Sequence, residues 1–294
     1  MPKKFRYVLE YLLVRGVFAL FGLLSLDRSS ALGGWIGRTV GPRLAITRRA
    51  LDNLARALPE LSDPARQRVI DDMWDNLGRI FGEYPHLGDI RLYDGENNHV
   101  EVIGTEHVDR LLEDGKGALF FSAHLGNWEI VSLGATRRGI DLVQIFRTAN
   151  NPWVERLIQR ARAPVGGRQH AKGTHGTRHM LRAVKRGEHV AMLVDQKYNE
   201  GIAVPFFGRD AMTTPAVAEL ALRFQVPVIP VRVERLEGAR FRLTVYSALD
   251  LPDTGDREAD VRAVTIAIND ILEQWIRERP GQWLWLHRRW PKDQ

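Results

Sequence analysis

Apolar positions are arranged in two regimes along the chain. Residues 7–26, YVLEYLLVRGVFALFGLLSL, form a mostly apolar stretch of the length that spans a hydrocarbon core, about 20 residues, with Glu10 and Arg15 inside it. A charge at the bilayer centre costs roughly 2.5–3.5 kcal/mol, so three readings stay open. The stretch can span, can lie in the interface as an anchor, or can act as a signal sequence, since Lys3, Lys4 and Arg6 precede it and Ser29, Ser30 and Ala31 follow. A buried soluble helix is the remaining alternative. From there to about residue 90 the spacing is helical: RRALDNLARAL carries its apolar residues on one face, and Ser62 with Pro64 opens a second amphipathic helix through RQRVIDDMWDNLGRIFGEY.

At VEVIG (100–104) the period changes. Apolar runs of strand length then alternate with helical segments: GALFFSAH, DLVQIFR, HVAMLVD, VPVIPVRVE and RFRLTVYSA are separated by WEIVSLGATRRG, NPWVERLIQRAR, THGTRHMLRAVKRG and PAVAELALRF. Continuous apolar strands between helices require a sheet covered on both faces, largely parallel. The expected fold is therefore α/β, a largely parallel mixed sheet flanked by helices, behind a helical N-terminal region and a membrane-anchoring helix. Its divisions are an anchor over 1–28, a helical region over 29–98 packed on the core, and the α/β core over 99–294.

Composition narrows the partners. The chain has no cysteine, which excludes disulfides, thiolate nucleophiles and cysteine-ligated zinc. Lys and Arg total 42 against 36 acidic residues, a basic excess that suits anionic partners such as lipid headgroups, sugar phosphates or an acidic carrier protein. Neither a Cys/His finger nor a basic-aromatic RNA-binding signature occurs, and nucleic acid is not expected.

Four strand runs end in a polar residue: His124, Arg147, Asp195 and Arg232. In open α/β sheets ligands bind beyond the carboxyl ends of the strands, so these side chains can gather at one rim. His124 leaves its strand, Gly126 permits a tight turn, and Asn127 can cap a helix beginning at Trp128. Glu129 then stands in the first helical turn, where the helix dipole favours a carboxylate, and can hold one ring nitrogen of His124 while the other accepts a proton. Spacing alone does not decide: nine histidines and 36 acidic residues in 294 predict about one such pairing by chance, and an ordinary strand-end histidine beside a first-turn acid fits equally. His170, His175 and His179 contain an i, i+4 pair but no HEXXH carboxylate, which favours an exposed helix start over a metal site. Ser122 lacks a G-x-S-x-G elbow. The terminal QWLWLHRRWPK suits either an aromatic-basic membrane belt or a final edge strand.

HLGNWE, followed by FR and NP (Phe146, Arg147, Asn151, Pro152), Arg162, VDQ around Asp195, PFFGR, TTPA, VPVIPV and WLHRRW, resembles the bacterial lipid A late acyltransferases and the wider His-x4-Asp/Glu glycerolipid acyltransferases over essentially the whole chain. The resemblance implies transfer of an acyl chain from acyl carrier protein, or from acyl-CoA, to a hydroxyl of a membrane-embedded glycolipid, at the cytoplasmic side of the inner membrane, with no cofactor and no metal. It implies His124 as base and Glu129 as its orienting partner. Arg162 and Asp195 match positions linked to activity, Arg147 is a substrate or phosphate contact, and Asn127 supports the motif. A glycerophospholipid or mannoside acyltransferase, and a non-catalytic lipid-binding homologue, remain alternatives.

Overall fold

The computed structural model describes residues 3–114, 117–146, 148–171 and 174–291. A seven-stranded sheet organises it. Its strands are β1 (Val100–Ile103), β2 (Leu119–Ser122), β3 (Leu142–Phe146), β4 (Arg168–Ala171), β5 (His189–Leu193), β8 (Val228–Glu237) and β9 (Arg240–Val245), in the order β1-β9-β8-β2-β5-β3-β4. β8, β2, β5, β3 and β4 pair in parallel, so their carboxyl ends share one rim. β9 folds back on β8 through Gly238 at φ 53° and pairs in parallel with β1, giving the expected mixed sheet. A separate hairpin, β6 (Ile202–Phe206) with β7 (Arg209–Thr213), adds a second small sheet.

Helices cover both faces because the strands are apolar on both. In β2, Leu119 and Phe121 enter one core and Phe120 the other. The first core also takes residues of α8 (Thr174–Lys185), α9 (Ala216–Phe224) and α10 (Arg257–Glu278); the second takes α5 (Thr105–Asp114) and α6 (Glu129–Arg137). α7 (Pro152–Arg162) follows β3 and is capped by the Asn151 side chain, which accepts from Trp153 N. The terminal segment is neither a membrane belt nor an edge strand. Beyond α10, Trp283, Trp285 and Trp290 are buried in the first core, and only an isolated bridge from Trp283 to Leu125 joins them to the β2 loop.

The opening residues form α1 (Lys3–Gly22), α2 (Leu26–Val40), α3 (Thr47–Ala57) and α4 (Asp63–Glu83). The spanning reading of residues 7–26 is corrected: among the described residues no helix is long and apolar enough to cross a membrane. Glu10 and Arg15 break the apolar window, and α1 lies along the protein instead. It turns Tyr7, Glu10, Tyr11, Val14, Phe18 and Phe21 inward at helical spacing, while Leu9, Leu12, Leu13 and Leu20 face out. The Asn151 amide donates to Tyr7 O and to Glu10, and the Phe18 ring meets Tyr84.

α2 and α4 touch backbone to backbone. Gly33 and Gly37 on α2 face Gly78 and Gly82 on α4, and a Cβ on Gly78 would fall inside contact distance of the Gly33 carbonyl. With no flexible side chain to yield, the helices would have to part. Gly78→Ala is expected to destabilise the protein by about 1–3 kcal/mol, the usual cost of overpacking, measured by denaturant unfolding. Gly16→Ala, where a Cβ meets nothing within 4 Å, should be neutral or mildly stabilising.

Candidate active site

β2 ends at Ser122 and the chain turns at once. Gly126 adopts φ 53°, and a Cβ there would stand 3.0 Å from the Val233 carbonyl oxygen, so the position requires glycine. α6 begins at Glu129, one residue later than expected, so Trp128 and not Asn127 takes the N-cap position; Asn127 still reaches the first turn, its Oδ1 accepting from Glu129 N at 3.2 Å. Asn127 is fully buried and bonded within the loop. Its amide donates to Glu83 Oε2 at 2.9 Å, at the end of α4. Glu83 is itself fully buried and also accepts from Ser30 Oγ at 2.7 Å and from both terminal nitrogens of Arg235 on β8. Arg235 Nε donates to Asn76, whose amide reaches the Gly126 carbonyl at 3.1 Å. Gln282 completes the grip, its side chain exchanging hydrogen bonds with the Arg235 backbone and its carbonyl accepting from Gly126 N.

Held this way, His124 faces the end of β5. Its Nδ1 lies 2.8 Å from Asp195 Oδ1, and its backbone N–H donates to Asp195 Oδ2 at 3.0 Å. Trp283 Nε1 donates to the same Oδ2 at 2.7 Å. Burial alone would raise the Asp195 carboxyl, but the His124 charge and these three hydrogen bonds outweigh it and hold the group down at about 2. An ionised carboxylate only accepts, so His124 Nδ1 is the donor in this contact.

Glu129 turns elsewhere. Its Oε2 accepts from Arg162 Nε at 2.8 Å and its Oε1 from Tyr84 OH at 2.8 Å, on the side of α7 and the end of α4. The expectation that Glu129 holds a ring nitrogen of His124 is therefore corrected: the carboxylate that meets the ring is Asp195. Glu129 and Arg162 neutralise each other in a nearly buried pair. Burial would lower the Arg162 guanidinium, yet the Glu129 charge and Tyr84 keep it above its ordinary value, while burial and Glu129 together push the Tyr84 hydroxyl well up.

His124, Glu129 and Arg162 share one cavity of about 1160 Å³. Phe120, Val131, Ile145, Phe146, Met180 and Met192 line its apolar parts, and Gln196 and His287 its polar end. Gln196 Nε2 lies 3.1 Å from His124 Nε2 and 2.8 Å from His287 Nε2. Arg232 does not join this rim; it is buried and paired with Glu278 and Glu234. Arg147 lies outside the described residues. The His170 and His179 rings stack at 4.1 Å, and no cluster of three or more metal-binding side chains occurs among the described residues. Sequence reasoning missed Tyr84, Glu83, Gln196, Trp283 and His287 as parts of the site. Gln196 follows Asp195 directly and His287 sits in WLHRRW, both inside quoted motifs, but Tyr84 and Glu83 carry no local signal.

Residues 2–292 match the family model described as bacterial lipid A biosynthesis acyltransferase. The lipid A biosynthesis myristoyltransferase of Escherichia coli (strain K12) is 25% identical over 241 residues, 81% of this chain and 73% of that protein. The lipid A biosynthesis lauroyltransferase of the same organism is 26% identical over 256 residues, 81% and 76% of the two chains. The phosphatidylinositol mannoside acyltransferase of Mycobacterium tuberculosis (strain ATCC 25618 / H37Rv) is 26% identical over 287 residues, 88% and 87%. With a histidine–carboxylate pair at the head of its sheet and a family match over nearly its whole length, this chain belongs to the bacterial lipid A biosynthesis acyltransferases.

Proposed function

We propose that the protein transfers a fatty acyl chain from an acyl carrier protein thioester to a hydroxyl of a lipid A precursor, at the cytoplasmic face of the inner membrane. The observation that carries this reading is His124, held through Nδ1 by Asp195 at 2.8 Å in the wall of the cavity. The acceptor hydroxyl gives its proton to Nε2 as it attacks the thioester carbonyl. Asp195 stabilises the imidazolium so formed, and the imidazolium returns the proton to the departing thiolate. The cavity exceeds the roughly 300–1,000 Å³ of ordinary small-molecule sites, as a lipid acceptor and an acyl chain together demand. Glu129 fixes Arg162 by its Nε, leaving the rest of the guanidinium to meet an anionic group of the acceptor. Similarity to a phosphatidylinositol mannoside acyltransferase supports a second reading, in which the acceptor is a phosphorylated mannoside lipid.

The outward apolar side chains of α1, with Trp35, Ile36 and Val40 exposed on α2, support interfacial attachment, and Lys4, Arg6, Arg15 and Arg38 suit anionic headgroups. Such a helix lies in the membrane surface and presents the cavity to lipid substrates without crossing the bilayer.

Three outcomes are expected. With acyl carrier protein thioester and lipid A precursor, followed by mass spectrometry of the lipid, the wild-type protein should form product, and Asp195→Asn should lower kcat by roughly 10²–10⁴. Losing the carboxylate also disfavours the imidazolium, so the acidic limb of the kcat/KM profile should move to lower pH. Equal rates in Asp195→Asn and wild type would remove Asp195 from the mechanism. Arg162→Lys should cost roughly 10–100-fold in kcat/KM, the worth of one charge-assisted hydrogen bond, and should narrow the preference for phosphorylated over dephosphorylated acceptor. A loss that tracks the melting temperature, with that preference intact, would mean that Arg162 serves Glu129 alone. Sedimentation with anionic vesicles should fall when Leu12 and Leu13 are both replaced by Ser; retained binding would place the membrane contact elsewhere.

A further inference from the structure

We propose that the outward face of α8 is the docking surface for an acidic acyl carrier protein, an inference that rests on the acyltransferase reading above. α8 buries Met180, Ala183 and Val184 in the first core and leaves Arg178, Arg182 and Lys185 exposed on the opposite side, one helical turn apart. Among the described residues these three cations have no ion-pair partner, whereas the next one, Arg186, is held by Glu188 at 3.3 Å. Every other α-helix of the structure contains at least one aspartate or glutamate; α8 contains none. Like charges at i, i+4 destabilise a helix. The helix dipole favours Arg182 and Lys185 in the last turn but gives Arg178 no such support.

The stripe starts at the cavity. Arg178 and Met180 of α8 line it, as do Glu155, Ile158 and Arg162 of α7. α7 in turn holds α1: Asn151 at its head donates to Tyr7 O and to Glu10, and Trp153 meets the Tyr11 ring. One part of the cavity wall therefore adjoins the helix with outward apolar side chains, and another adjoins the cations. Seven residues of helix extend over about 10 Å, too far for one phosphate to meet all three, so the matching partner presents several acids along its surface. No large apolar side chain is exposed among the described residues of α8, which sets this face apart from α1 and from insertion among lipids. Charges around such an entrance steer an oppositely charged protein and fix its orientation, here with the thioester directed at His124. The lipid acceptor and the protein donor then reach one base from different surfaces.

The test combines Arg182→Glu with Lys185→Glu, two positions that do not line the cavity. Transfer to lipid A precursor is measured from the acyl carrier protein thioester and from the same acyl group on pantetheine, which has no protein to dock. The variant is expected to lose about 10–100-fold in kcat/KM on the carrier thioester, chiefly in KM, and to keep the wild-type rate on acyl pantetheine. Raising the salt should weaken the carrier reaction of wild type and narrow its lead over the variant. An equal fall on both thioesters would show that the stripe serves the fold. Unchanged carrier kinetics would show that the carrier docks elsewhere, and if sedimentation with anionic vesicles fell at the same time, the face would belong to lipid. Each of these results overturns the proposal, as does a wild type that transfers from pantetheine and not from the carrier. A wild type that transfers from neither thioester would instead defeat the underlying reading, and the proposal with it.

Discussion

The buried pair of Glu83 and Arg235 is the constraint on which the site depends. Both side chains are shut away from solvent, and their contacts reach several segments of the chain: Ser30 on α2, Asn76 on α4, Asn127 in the β2–α6 loop, Gly238 in the β8–β9 turn and Gln282 after α10. Removing one partner of such a pair strands a charge and typically costs about 3–5 kcal/mol. Here the geometry has a further role. Asn127 and Gly126 bracket the turn that aims His124, so the ion pair transmits the arrangement of the helical N-terminal region directly to the imidazole.

The cavity contains two carboxylates with opposite electrostatic fates. Glu129 is neutralised by Arg162 and bonded by Tyr84, which leaves Asp195 as the negative charge in contact with His124. If both acids faced the ring, their mutual repulsion would favour protonating one of them. Separating them lets Asp195 stay ionised at about 2 while Glu129 acts as a bracket for a guanidinium.

Much of this was legible in the sequence. Apolar runs such as ALFFS and HVAML could only be strands covered on both faces, and the polar residues ending them located the rim, His124 and Asp195 included. β4, RQHA, has no apolar run and exists because β3 offers a free edge. The β6–β7 hairpin turns at Phe207 and Gly208, both with positive φ, a geometry that FFGR does not announce. The identity of the histidine's partner failed for a different reason. Glu129 is local and Asp195 lies 71 residues away, so spacing favoured the wrong acid; only the sheet register, which sets β5 beside β2, brings the right one into reach. Membrane spanning failed because Glu10 and Arg15 leave α1 too polar to cross a bilayer, and the stripe that holds Glu10 turns towards α7 and α4.

Trp283 and His287 reach the centre from the segment that follows α10, with Leu284 N donating to the His124 carbonyl. Trp283 and Trp285 are buried in the same core as β2 and β5, and Gln282 is bonded to the backbone of β8 and of the Gly126 turn, so this segment is not laid over a finished fold. The indole that bonds Asp195 comes into place with the packing of the core. Closure of the core and assembly of the centre are thus one event in this chain.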